Sequence, residues 1–226
     1  MDGYPLTLAG AALLARPSGA LLWPAERLLV VADLHLGRSE RVARLGGALL
    51  PPYETEETLG RLGQEIEALG PEQVVCLGDS FDDVAAGEGL VAADRCQLDA
   101  LMAGRCWSWI AGNHDPAPPT VGGEHHAALT IGPLTFRHEA QPQASGEISG
   151  HWHPKLSLSL RGHGLSRPCF LADAHRIILP AFGAYAGGLN VRHRALRSLM
   201  APEARAITTG PTPLAICLAT YLGGTA

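Results

Sequence analysis

No apolar run in this 226-residue sequence approaches the roughly 20 residues needed to cross a bilayer; Ala9 to Ala15 and Leu28 to Ala32 fall far short. The start of the chain carries Asp2 and Pro5 where a secretory signal would place basic residues, so no targeting segment is expected. The cysteines (Cys76, Cys96, Cys106, Cys169 and Cys217) are odd in number and none forms a C-x-x-C pair. That excludes a disulfide framework and a thiolate zinc site, and it points to a reducing, cytoplasmic setting. Cys76, inside an apolar run, reads as a small buried hydrophobe. Lysine is nearly missing: 16 of the 17 basic residues are Arg, a bias that base composition alone can produce. Bulk positive charge is missing too, since the net charge is −5, and this argues against a protein that holds nucleic acid by charge alone.

What the chain does have is a 46% apolar composition with little net charge, which excludes disorder and is ample for a buried core. The length fits one domain spanning 1–226, with no sizeable cap. Residues 1–113 hold eight Arg against sixteen acidic residues, whereas 114–226 hold nine basic residues against six acidic ones.

The 27 Gly and 17 Pro imply many tight turns and short elements. Strands are expected at 6–8, 20–23 and 28–32. A helix is expected over 54–69, with Leu59, Leu62, Ile66 and Leu69 on one face, acidic residues in its first turn and Gly70-Pro71 ending it. A strand at 73–77, a helix over 89–103 with Val91, Leu98 and Met102 inward, and a strand at 107–111 follow. Beyond residue 125 only short strands are expected, at 127–131, 134–138, 146–150, 155–160, 168–172 and 176–179. Alternation of strand and helix followed by a strand-rich half predicts an α/β sandwich of two sheets.

Four apolar runs end in residues that suit divalent metals. They run into Asp33-Leu34-His35, Gly78-Asp79-Ser80-Phe81-Asp82-Asp83, Gly112-Asn113-His114-Asp115 and Gly150-His151-Trp152-His153. In open α/β sheets, sites form beyond the carboxyl ends of strands. In extended backbone, residues two apart point the same way, so Asp33 with His35 and His151 with His153 can reach shared or neighbouring ions. Glycine before Asp79, Asn113 and His151 permits a sharp turn into the crevice. Carboxylate with imidazole suits Mn, Fe or Zn rather than calcium. One carboxylate, here Asp79, can bridge two ions roughly 3.5–4 Å apart. Each motif alone is commonly a turn or a cap; the weight lies in all four in this order.

This series, D-x-H, G-D-x-x-D, G-N-H-D, a lone His and G-H-x-H, resembles the calcineurin-like metallophosphoesterase superfamily. Leu34-His35-Leu36-Gly37, Gly46-Gly47, Leu50-Pro51, Gly78-Asp79-Ser80-Phe81, Leu179-Pro180-Ala181-Phe182-Gly183 and Gly187-Gly188 are similar to its ligase-associated DNA damage response endonuclease branch, PdeM, related to the nuclease SbcD. The resemblance covers about 28–190. It implies a four-layer α/β/β/α sandwich of two mixed sheets flanked by helices. It also implies two divalent ions, manganese foremost, with Asp33, His35 and His153 on the first, Asn113, His138 and His151 on the second, and Asp79 between them. His114 would protonate the leaving oxygen, its ring oriented by Asp82 or Asp83. Asn113 and Arg38 would touch substrate. The implied activity is phosphodiester hydrolysis in DNA, linked to a DNA ligase, a helicase and an exonuclease.

A small-molecule phosphodiesterase or phosphatase and an inactive metal-bearing scaffold are the competing readings. Arg38, Arg41 and Arg44 lie in helical register, as a groove for a nucleic-acid backbone or as a solvated face paired with Glu40. Trp152 fits packing better than base stacking. Gaps of 22 residues between Asp115 and His138 and of 12 between His138 and His151 leave no room for a large lid. The tail from Ala201 onward offers Ala215 to Leu222 as a last strand or a partner contact. Oligomeric state is not legible.

Overall fold

The computed structural model describes residues 2–117, 121–160 and 163–223; the last three residues of the tail lie outside them. One sheet runs in chain order through β1 (Tyr4–Leu8), β2 (Ala11–Ala15), β3 (Leu21–Trp23), β4 (Leu28–Val31), β5 (Gln73–Cys76), β6 (Cys106–Ile110) and β7 (Glu124–His126). Hairpins make its first four strands antiparallel, and crossovers make β4 to β7 parallel. The second sheet contains β8 (Leu129–Ile131), β9 (Leu134–Phe136), β10 (Glu147–Ser149), β11 (Lys155–Leu160), β12 (His163–Ala172), β13 (Arg176–Ile178), β14 (Arg205–Thr208) and β15 (Ala215–Cys217). Its spatial order is β15-β14-β12-β13-β10-β9-β8, with β11 folded back on β12.

Period-two alternation sorts the apolar side chains into layers. Val30, Val75, Leu77 and Ile110 of the first sheet meet Phe136, Ile148, Phe170 and Ile177 of the second in a central core. The alternate residues Leu29, Val31, Val74 and Cys76 face the other way, against Leu59, Leu62 and Ile66 of α2 (Glu54–Leu69) and Leu98 of α4 (Ala92–Met102). On the far side, Cys169, Leu171 and Ile178 pack on Leu196 of α5 (Arg194–Leu199) and Leu218 of α6 (Leu218–Gly223). Strands covered on both faces read as unbroken apolar runs, as Leu28–Val31 does. The result is α/β/β/α, two mixed sheets flanked by helices.

The α2 boundaries agree with the periodicity, and Gly70 closes the helix in the left-handed region at φ 56°. The helix expected over 89–103 is shorter: Val91 is its exposed N-cap residue rather than an inward one. The strand expected at 168–172 is the end of the ten-residue β12. The run Ala215 to Leu222 is strand β15 turning directly into α6. Five elements carry no sequence expectation: β2, α3 (Val84–Glu88), α5, β7 and β14. The arginine register belongs to α1 (Arg38–Arg44). Cys76 is buried, and burial pushes its thiol well above the usual range.

Candidate metal centre

The five chain segments that leave β4, β5, β6, β9 and β10 at their carboxyl ends carry Asp33, Asp79, Asn113, His138 and His151. The turns are knitted to one another: the Asp33 amide donates to the Gly78 carbonyl (3.2 Å) and the His35 amide to the Asp79 carbonyl (2.9 Å). Asp115 fastens the β5 turn from beneath. It is fully buried, and its carboxylate accepts from the amides of Asp79 (2.9 Å), Ser80 (2.7 Å), Phe81 (3.1 Å) and Gly112 (3.1 Å).

The backbone here is strained. Of seven non-glycine residues with positive φ among those described, five are Asp33 (54°), His35 (48°), Asp79 (45°), His151 (69°) and His153 (44°). Such conformations persist only where the surroundings over-determine them, and they gather at functional sites. Asp33 and His35 therefore do not converge through extended backbone, as the two-residue spacing suggested, but through two left-handed turns. Gly78 supplies a turn at φ 81°. Gly112 serves close approach instead: a Cβ there would lie 2.3 Å from Asp79 Oδ1.

Three groups of side chains offer ligand atoms that all lie within 4.8 Å of one another: Asp33, His35 and His153, then Asp79, His138 and His151, then His35, Asp82 and His114, which shares His35 with the first. In the first, His153 Nε2 is 3.4 Å from Asp33 Oδ1 and 3.5 Å from His35 Nε2. In the second, His138 Nε2 is 3.4 Å from Asp79 Oδ2, 3.0 Å from His151 Nδ1 and 2.9 Å from Asn113 Oδ1. Asp33 Oδ1 links these two groups at 3.8 Å from His138 Nδ1.

The fit to cations follows from which atoms are already engaged. His138 Nδ1 faces the Leu77 carbonyl at 2.8 Å, which can only accept, so that nitrogen carries the hydrogen. Its Nε2 is left facing an amide oxygen, a carboxylate and a second imidazole, an assembly of electron-pair donors that a divalent ion satisfies. Burial alone would push His138 down, but the Asp79 carboxylate, with Asp33, raises it to about 9. Burial likewise acts to raise Asp79, and His138 and His114 outweigh it, bringing the carboxyl to about 2. Burial and the neighbouring His138 push His151 down, which favours the neutral ring that ligation needs.

His114 sits at the open side. Its amide donates to Asp79 Oδ1 (2.8 Å), and its ring stands edge-on to His35 at 5.1 Å. The expected pairing with a carboxylate takes another form. His114 Nδ1 faces the main-chain carbonyl of Asp82 at 2.8 Å, while the buried Asp82 carboxylate lies 2.9 Å from His35 Nδ1. That carboxylate also pairs with Arg38 (3.2 Å) and Arg41 (3.1 Å). Asp83 caps α3 by accepting from the Ala86 amide and pairs with Arg44. Arg38 is thus committed to Asp82, and Arg44 also meets Glu40 at 2.9 Å. Trp152 packs against the outer core of the second sheet, edge-on to His151. The sequence reading assigned no task to Asp115 or to the carbonyls of Leu77 and Asp82. Only Asp115 carried a signal, as the last residue of G-N-H-D.

The solved structure of nuclease MPE from Pseudomonas putida matches with a TM-score of 0.71 and 29% identity, covering 94% of this chain and 100% of that one. The fold is the metallophosphoesterase-type sandwich. No family model matches the chain, and no curated protein matches it. Among the described residues no helix is long and apolar enough to cross a membrane.

Proposed function

We propose that this chain is a dinuclear-metal phosphodiesterase that hydrolyses phosphodiester bonds of DNA and belongs to the PdeM branch. The observation that carries the reading is the pair of adjoining Asp/His groups, one completed by Asn113, at the carboxyl edge of the sheets. The likeness to a nuclease over nearly the whole chain supports the substrate class.

Asp33, His35 and His153 would hold one ion and Asn113, His138 and His151 the other, with Asp79 shared between them. Bound divalent ions, manganese foremost with iron or zinc compatible with the same ligands, supply Lewis acidity toward phosphate oxygens and a water of lowered pKa. The chain's own residues do the rest. Asp82 holds the His35 ring so that Nε2 faces the centre. The Asp82 carbonyl fixes the hydrogen of His114 on Nδ1, so Nε2 is the nitrogen that exchanges a proton with substrate, donating it to the leaving oxygen. Arg38 acts on the centre through Asp82, and Asn113, beside His138, would serve both ion and phosphate. A role beside a DNA ligase, a helicase and an exonuclease in a cytoplasmic repair pathway completes the reading.

The test is hydrolysis with manganese of bis-p-nitrophenyl phosphate, of nicked, single-stranded and 3′-blocked DNA, and of cyclic nucleotides. DNA cleavage is expected. Turnover of small diesters or cyclic nucleotides without DNA cleavage assigns a small-molecule phosphodiesterase instead, and inactivity with metal bound assigns a scaffold.

A further inference from the structure

His153 also faces a second space. A cleft of about 360 Å³ opens beside it, between the Pro17–Ser18 turn, α2 and the 181–187 loop. That volume lies within the range of small-ligand sites, roughly 300–1,000 Å³. Its lining holds Arg61 and Lys155 together with Ser18 and Thr209, and no carboxylate. In a chain of net charge −5 this is a local reversal of sign.

Neither cation forms an ion pair among the described residues, and the nearest charge acting on Arg61 is Glu57, one turn earlier on α2. Arg61 stacks on the Phe182 ring (4.6 Å from its centre) and donates to the Ser18 carbonyl (3.3 Å), and no carboxylate oxygen among the described residues lies within 4.0 Å of it. Stacking fixes the plane of the guanidinium, and half-burial makes an unpaired charge costly unless an anion arrives. Lys155 is the sole lysine of the chain and likewise has no ion pair among the described residues. Its backbone is held on both sides, by the Leu189 carbonyl (2.8 Å) and the Val191 amide (2.9 Å), which fixes where the side chain leaves the strand.

We propose that this cleft binds a second phosphate, that of the nucleotide next to the scissile bond, through Arg61 and Lys155. The inference rests on the phosphodiesterase reading and adds a substrate rule to it: an additional phosphate one nucleotide away from the reacting one tightens binding. Two cations lining a cleft that His153 also lines give that rule its geometry.

Calorimetric titration of the manganese-loaded protein tests it without requiring turnover. A deoxynucleoside 3′,5′-bisphosphate is expected to bind on the order of 10-fold more tightly than the 5′-monophosphate. Lys155→Gln is expected to erase the difference, and Lys155→Arg to retain most of it. Equal binding of the two ligands by the wild type, or a difference that persists in Lys155→Gln, overturns the proposal. In a parallel assay the ratio of kcat/KM on single-stranded DNA to kcat/KM on bis-p-nitrophenyl phosphate is expected to fall about 10-fold in Lys155→Gln, through KM. An unchanged ratio contradicts the substrate rule. A wild type that discriminates between the ligands yet cuts no DNA leaves the second-phosphate site standing and removes the DNA reading.

Discussion

At the scale of single residues, Asp82 and His114 separate two tasks that the sequence placed in one pair. The Asp82 carboxylate contacts His35, and only its carbonyl contacts His114. Asp82→Asn is therefore expected to weaken metal affinity by about 10- to 100-fold, the usual consequence of losing a carboxylate behind a ligating imidazole. Metal titration followed by activity at saturating manganese checks it: a defect that vanishes at saturation agrees, and one that persists at full occupancy returns Asp82 to His114. His114→Ala is expected to keep its metal while turnover falls by on the order of 10²-fold or more, the scale of a lost general acid. Metal loss in that variant would show that the roles are divided wrongly. The residues that meet at the strand ends were legible because Asp, His and Asn each end an apolar run. The hydrogen-bond partners were not, because a carbonyl of Leu77 or Asp82 leaves no mark on residue type.

At the scale of elements, the turns behind the strands are as constrained as the strands. Asp115 accepts four amides from two of these turns, and removing it by Asp115→Ala leaves buried donors unmet. A loss of about 3 kcal/mol is expected, read as a fall in Tm of roughly 6–12 °C for a chain of this size. A Tm within 2 °C of wild type would mean that the turns hold without it. Helix α2 was readable to the residue because its apolar face, acidic first turn and glycine stop agree. By contrast α3 and α5 have five and six residues, too few to show a period, and β7 is polar at every position. Val91 matched the apolar rhythm of α4, yet it caps that helix and faces water. The left-handed turns at Asp33, His35, Asp79, His151 and His153 were hidden for a related reason: positive φ is uncommon outside glycine, and its enrichment at Asp and His is too weak to mark a position.

At the scale of the whole molecule, the two sheets bring together residues separated by 118 positions, as in the Asp33 and His151 contact (2.9 Å). The site therefore depends on the central core. Phe170, fully buried between the sheets, is expected to cost about 3–5 kcal/mol as Phe170→Ala, measured by denaturant unfolding. Folding and metal binding are expected to be linked, because only the folded chain gathers both groups. Manganese at about 100 times its dissociation constant adds about 2.7 kcal/mol, so a chelator is expected to lower Tm by roughly 5–10 °C. A Tm indifferent to chelation would argue that the cluster holds no ion.

Metal stoichiometry by mass spectrometry of the manganese-loaded protein, wild type beside Asp79→Asn, bears on all of this most directly. About two ions per chain are predicted for the wild type, with most of them and nearly all turnover lost in the variant. A wild type that retains no metal, or a variant that keeps its full complement, contradicts the account.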